Sequence, residues 1–155
     1  MLGREVPTMS ATTKLEVASE LLTEALRLYL ARRAYFASLH LAGAAEEILG
    51  VYVKANGGVC AFDSTKDVAV LFSRLFRADG SEHSSRDMAD LINDAKNSTK
   101  HKRGKGDNDV NFDPRAEAFD VLDRAIDNYY RLQSKFNLPE TEELIRFNND
   151  RKVNR

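Results

Sequence analysis

Apolar residues recur at intervals of three and four along most of the chain. Between Lys14 and Tyr29 they are Leu15, Ala18, Leu22, Ala25, Leu26 and Tyr29, one stripe on a helical face. Thr13 followed three residues later by Glu16 is a pair whose side chains satisfy orphan amide donors at a helix start. A second helix is expected from Tyr35 to Lys54, closed by Asn56-Gly57-Gly58, because Gly accepts the left-handed cap conformation. The pattern does not settle whether Ala31 to Ala34 forms a turn.

Three further segments follow. Ser64 to Phe76 opens with a Ser64/Asp67 cap and lines up Val68, Leu71, Phe72, Leu75 and Phe76. Ser84/Asp87 repeats the cap, and Met88, Leu91, Ile92 and Ala95 carry the helical spacing up to Lys96. Asp113-Pro114 announces a long helix, since an acid suits the cap and proline lacks only an amide that has no partner there. Its stripe is Phe119, Leu122, Ile126, Tyr129 and Phe136. Beyond Pro139, Glu140 to Glu143 suggests a short terminal helix, and Asn148 to Arg155 a loose polar tail.

No alternating β pattern with hairpin dipeptides accompanies these helices. The expected fold is all-α, an up-and-down bundle of four to five helices whose stripes bury against one another. The expected organisation is a flexible tail over residues 1–12, a bundle over 13–138, and a short helix with a polar tail over 139–155. No fixed-period repeat points to a solenoid.

Composition agrees with one globular domain: 155 residues, 43% hydrophobic, 30% charged, net charge -1. The longest apolar run, Leu41 to Ala45, ends at Glu46-Glu47, far short of the roughly 20 residues that cross a bilayer. The first dozen residues lack the apolar core of a signal peptide, so a cytoplasmic location is expected. Cys60 has no second cysteine to bond and is read as packing. The Asn97-Ser98-Thr99 triplet is read as a chance glycosylation match.

The charge is balanced overall but not locally. Lys96 to Gly106 reads KNSTKHKRGKG, with Lys96, Lys100, Lys102, Arg103 and Lys105 and no acid. Such a cluster follows a phosphate backbone and binds it in a salt-dependent way, unless it is simply a solvated loop. His101 lies inside the cluster, and imidazole is the side-chain group suited to proton transfer near neutral pH. It is a candidate general base for the 2′-hydroxyl of RNA, with neighbouring cations stabilising the developing charge.

On the second helix, Leu39, Ala42, Glu46, Leu49 and Val53 share a face, so Glu46 interrupts an apolar stripe. His40 and Glu47 lie on the adjoining face with Phe36, Gly43 and Gly50. A carboxylate there must pair with a donor or shift its pKa, so at least one of Glu46 and Glu47 is expected to reach a basic group or a backbone end across the bundle, as a structural pair before a catalytic one. Gly43, Ala44, Ala45 and Gly50 are small enough to let another helix approach closely.

Several familiar signals fail. Asp107, Asp109 and Asn111 resemble a calcium loop, but Phe112 stands where Gly is needed and Ala118 where a bidentate acid belongs. No HExxH, phosphate loop or dinucleotide fingerprint is present, and His40, His83 and His101 lie far apart. No metal and no cofactor is expected.

The helix YFASLHLAGAAEEILG, the stretch ending in KNSTKHKRG, and FDPRAEAFDVLDRAIDNYYRL together resemble the HEPN superfamily of small helical bundles, over roughly residues 14–137. The resemblance implies a fold before an activity. Members are generally dimers; many are metal-independent ribonucleases of toxin-antitoxin or phage-defence systems, and others bind nucleotides or partner proteins. Active members resemble one another in an Arg, a polar residue such as Asn, three more residues and a His. The matching string is Lys96-Asn97-Ser98-Thr99-Lys100-His101, with Lys in place of Arg. That exchange keeps the charge and loses the planar fork that grips phosphate through two hydrogen bonds.

By this resemblance His101 would be the acid or base, Lys96 would hold the scissile phosphate, Asn97 would orient one of them, and Glu46 or Glu47 would position the basic residues. Lys100, Lys102, Arg103 and Lys105 would bind RNA, with two sites meeting across a homodimer axis. Possible partners are RNA, a second copy and an antitoxin-type protein, with no membrane. The alternative is a non-catalytic interaction module in which the Gly43/Ala44 surface docks a partner. A third, weaker expectation is a small-molecule binder with the second helix lining an apolar cavity.

Overall fold

The computed structural model describes residues 10–76 and 83–153. These form six α-helices and no strand: α1 (Lys14–Leu30), α2 (Tyr35–Ala55), α3 (Ala61–Phe76), α4 (Ser85–Lys100), α5 (Pro114–Phe136) and α6 (Glu142–Val153). The expected all-α bundle is what forms. The expected tail falls mostly on residues 1–9, outside the described residues, as do positions 154 and 155. None of the described helices is long and apolar enough to cross a membrane.

Locally written caps are where the sequence puts them. Thr13 Oγ1 accepts from the Glu16 amide at 3.1 Å while Glu16 Oε2 accepts from the Thr13 amide at 2.7 Å. Ser84 Oγ accepts from Asp87 N at 3.0 Å and opens α4. Asp113 Oδ1 accepts from Arg115 N at 2.9 Å, with Pro114 in the first turn of α5. Ala31 to Ala34 is a turn, with Arg32 and Ala34 both left-handed at φ 55° and 51°. It folds α2 back along α1, and Ser38 Oγ donates to Ala25 O across the pair at 2.8 Å.

The core lies between α1, α2 and α5 and includes Leu22, Leu26, Leu39, Leu49, Leu122, Ile126 and Tyr129. α6 closes it with Leu144 and Phe147, both buried. The expected polar tail is therefore helical through Val153, because Phe147 inserts among Tyr29 and Phe119 and Arg151 bonds Asp123.

Two expectations about α3 need correction. The helix begins at Ala61 rather than after a Ser64 cap, because Asn128 of α5 accepts the Ala61 amide through Oδ1 at 2.8 Å. Its predicted stripe does not enter the core: Val68, Leu71, Phe72 and Leu75 are 52–72% exposed, and the Phe76 side chain lies outside the described ones. On the neighbouring stripes, Leu91 of α4 and Phe136 of α5 are exposed as well, whereas Met88 and Ala95 are buried.

These packings bring one end of the bundle together. Tyr29 near the end of α1 meets Tyr35 at the start of α2 and Phe119 in α5, with ring centroids 5.7 and 6.3 Å apart. Phe36 meets Phe112, just before α5, at 6.1 Å. The last turn of α1, the first turns of α2 and α5 and the loop after α4 therefore share this end.

Candidate functional site

Glu46 sits in the middle of α2 with 2% of its side chain exposed. Its carboxylate holds two cations from two helices. Arg124 Nε of α5 donates to Oε1 at 2.6 Å, and Lys96 Nζ of α4 approaches Oε2 at 3.4 Å. Lys96 Nζ also lies 3.5 Å from Oε1 of Glu47, an acid that is otherwise largely exposed. The expectation that an acid on this stripe finds a basic group is met by two of them, because neither charge can be left alone in a low-dielectric core. Arg124 Nη2 is buried without an acceptor among the described residues, so the network is not fully satisfied.

Gly43 explains how Lys96 gets there. A Cβ at position 43 would stand 2.7 Å from Lys96 Cδ, closer than real contacts come. The absent side chain is the channel along which the lysine stem reaches Glu46. This corrects the reading of Gly43/Ala44 as a docking surface: Gly43 is buried under α4. Ala45 is core, and Gly50 faces Cys60 and Asn128. The hollow beside α2 has a mostly apolar wall that includes Gly50, Val51, Cys60 and Phe62, with Glu46, Glu47, Lys54 and Lys96 adding charged groups to it. Cys60 packs in the core, its Sγ 3.3 Å from Asp63 Oδ2.

The Lys96–His101 string is thereby split between interior and surface. Lys96 is 3% exposed and committed to Glu46, which keeps its ammonium away from solvent. Asn97 is half-buried on the same last turns, and its carbonyl accepts the His101 amide at 3.2 Å. His101 is the C-cap residue of α4 and is exposed, along with Lys100, Lys102, Arg103 and Lys105. Cations at this position also complement the negative end of the helix dipole.

The loop after His101 is folded on itself. Lys102 Nζ donates to Asp107 O at 2.7 Å and to Asn108 Oδ1 at 2.5 Å, while Asp107 Oδ2 accepts the Arg103 amide at 2.6 Å. Asp107 is thus a loop staple, which accounts for its place in a string that failed as a calcium loop.

Three features of this end were not apparent in the sequence. Arg32 and Arg33, which read as a polar break between helices, stand in the exposed α1–α2 turn, and Arg115 is exposed in the first turn of α5. His40 lies close enough to Lys100 that the ammonium adds to burial in pushing its pKa below the ordinary value. Next to the loop, Asp94, Asp109 and Glu117 line an acidic hollow, and burial followed by the Asp120 charge raises the Glu117 pKa. The cationic surface therefore has a defined acidic edge.

No family model, curated protein or solved structure matches this chain.

Proposed function

We propose that the protein binds RNA at the cationic end of the bundle and cleaves it without a metal, as a HEPN-like ribonuclease of the toxin-antitoxin or defence kind acting in the cytoplasm. The supporting observation is the gathering of Lys100, His101, Lys102, Arg103 and Lys105 with Arg32, Arg33 and Arg115 at one end of the bundle, all exposed. In this reading His101 takes the proton of the 2′-hydroxyl as that oxygen bonds to the neighbouring phosphorus, and the P–O5′ bond breaks to leave a 2′,3′-cyclic phosphate. The departing 5′-oxygen gains a proton from the imidazolium or water, and Lys100 and Arg103 stabilise the charge that develops on the phosphate. Lys96 does not grip the phosphate. It ties α4 to Glu46, with Glu47 at the rim, and together they set where the last turn of α4 presents His101. Asn97 contributes through its carbonyl on the His101 amide.

The test is incubation of purified protein with total cellular RNA in EDTA, wild type beside His101→Ala, with circular dichroism of both. Cleavage by wild type alone, weakening with added salt, supports the proposal. Absence of cleavage by a folded wild type overturns the catalytic part, and salt-independent RNA affinity overturns the binding part.

The exposed α3 stripe favours a second reading, in which the chain is an interaction module that pairs with its own copy. Val68, Leu71, Phe72 and Leu75 are apolar and exposed, and their i, i+3, i+4, i+7 spacing puts them on one face of α3. Two such stripes facing each other would take these apolar side chains out of water on both copies, the change that drives helix pairing. Light scattering after gel filtration, wild type against Leu71→Glu, reads this directly. A wild-type dimer that the substitution splits supports pairing through α3. A monomeric wild type rejects it.

A further inference from the structure

A second hollow opens at the same end of the molecule, on the face where α1, α5 and α6 meet. Its volume is about 450 Å³, inside the range of ligand pockets. The wall is aromatic and apolar: Tyr29, Phe119, the buried Phe147 and Leu30. Tyr29 and Phe119 are only partly buried, so their rings offer free surface to the hollow.

The rim is cationic. Arg115 interacts with the Tyr29 hydroxyl, and Arg32 comes from the α1–α2 turn. The Arg32 guanidinium forms no ion pair with a described residue. Its backbone is left-handed at φ 55°, a conformation that costs a non-glycine residue roughly 1 kcal/mol and tends to persist at ligand clamps. Arg151 and Asp150 line the far side, Arg151 bonded to Asp123 and Asp150 also engaged. Arg32 and Arg115 thus form no salt bridge with a described residue and stand beside aromatic rings, although the Asp113 carboxylate lies within electrostatic reach of Arg115.

We propose that this hollow binds a ligand that joins a flat aromatic ring to an anionic group, the ring against Tyr29 and Phe119 and the anion on Arg32 and Arg115. Guanidinium forks recognise phosphate or carboxylate oxygens, and aromatic faces take planar rings with little geometric demand. Such a ligand has two possible sources: a free small molecule, or one nucleotide of an RNA strand held by the neighbouring loop. The second source rests on the RNA reading above.

Phenyl phosphate is the probe, titrated into the 15N-labelled 155-residue protein, with inorganic phosphate and phenol as its separate halves. Shifts centred on Tyr29, Arg32 and Arg115 are expected, with phenyl phosphate binding about tenfold more tightly than either half. Arg32→Gly removes the guanidinium while suiting the left-handed backbone, and Arg115→Gln keeps a polar side chain, so neither substitution threatens the fold. Each is expected to weaken binding several-fold. Shifts elsewhere, or affinity unchanged by both substitutions, would overturn the site. A short single-stranded RNA then separates the sources. If it competes with phenyl phosphate and Arg115→Gln lowers its affinity, the ring is a nucleotide of the strand; if it does not compete, the ligand is a free molecule. His101→Ala leaves phenyl phosphate binding unchanged in either case, so failure of the cleavage proposal is distinguished from failure of this one.

Discussion

Replacing Glu46 by Gln is the sharpest probe of the interior. The substitution keeps shape and polarity and removes only the charge that faces Arg124 and Lys96. Removing one partner of a buried ion pair costs about 3–5 kcal/mol, because the remaining charge is desolvated without compensation. Here two cations lose their common acid, but Lys96 keeps the more exposed Glu47 and an amide oxygen remains near Arg124. The loss is therefore placed at the lower bound, about 3 kcal/mol, or about 6–12 °C in Tm for a chain of this size. Lys96→Met removes a cation while filling the channel over Gly43, and Glu46 keeps Arg124, so its loss is about 1 kcal/mol. The double substitution should cost less than the sum of the two, with a coupling of about 1–2 kcal/mol. Urea unfolding followed by circular dichroism at pH 7, with equal slopes among the variants, measures all three. A Glu46→Gln loss under about 1 kcal/mol, or strict additivity, would show that water screens these groups and that the network argument is wrong.

Gly43→Ala gains about 1 kcal/mol of helix propensity but displaces the Lys96 stem at a cost of about 1–3 kcal/mol, so it should destabilise wild type and stabilise a Lys96→Ala background; urea midpoints that shift the same way in both chains would refute it. Asn128→Ala should cost about 1–2 kcal/mol, with amide exchange rising first at Ala61 and the opening turn of α3. Glu117 and Asp120 both have pKa values raised chiefly by burial, so their ionisation opposes folding above the folded-state pKa. Glu117→Gln should accordingly stabilise the protein at pH 7, with the advantage shrinking as pH falls through the raised folded-state pKa and gone once pH is below the ordinary carboxylate value, which unfolding midpoints across pH will show. Tyr130 donates to Glu140 Oε1 at 2.7 Å, and burial first, then this bond, pushes its pKa to about 12. The stability it supplies is complete below pH 10 and declines as pH rises towards 12, and a phenol absorbance titration with an ordinary midpoint for all five tyrosines would contradict it.

Legibility in the sequence tracked the distance over which each interaction is made. Thr13/Glu16, Ser84/Asp87 and Asp113-Pro114 were readable because cap and helix are neighbours in the chain. Ser64 was misread as a cap because the residue that fills that role for α3, Asn128, is 67 positions away. Periodicity correctly placed Val68, Leu71, Phe72 and Leu75 on one face, but period alone says nothing about whether that face meets the core or solvent. Glu46 announced a need for a cation without saying which of many cations would answer. Lys96 read as the leading cation of a surface patch, and only the gap at Gly43 explains why it turns inward. The exposed part of the patch, Lys100 to Lys105 with His101, was legible; Arg32, Arg33, Arg115 and His40 join it only once the helices are packed.

The bond between Asn128 and Ala61 also bears on the order in which the chain acquires structure. During synthesis α3 emerges well before the middle of α5, and until Asn128 follows, the Ala61 amide has no acceptor but water. Helices of this length are marginal by themselves. α1 and α2, neighbours in chain and space, can pair early, whereas the α3 start waits for a residue made much later. A helix made later thus fastens one that was translated long before it, and this protein's vectorial birth and its assembly run in different sequences.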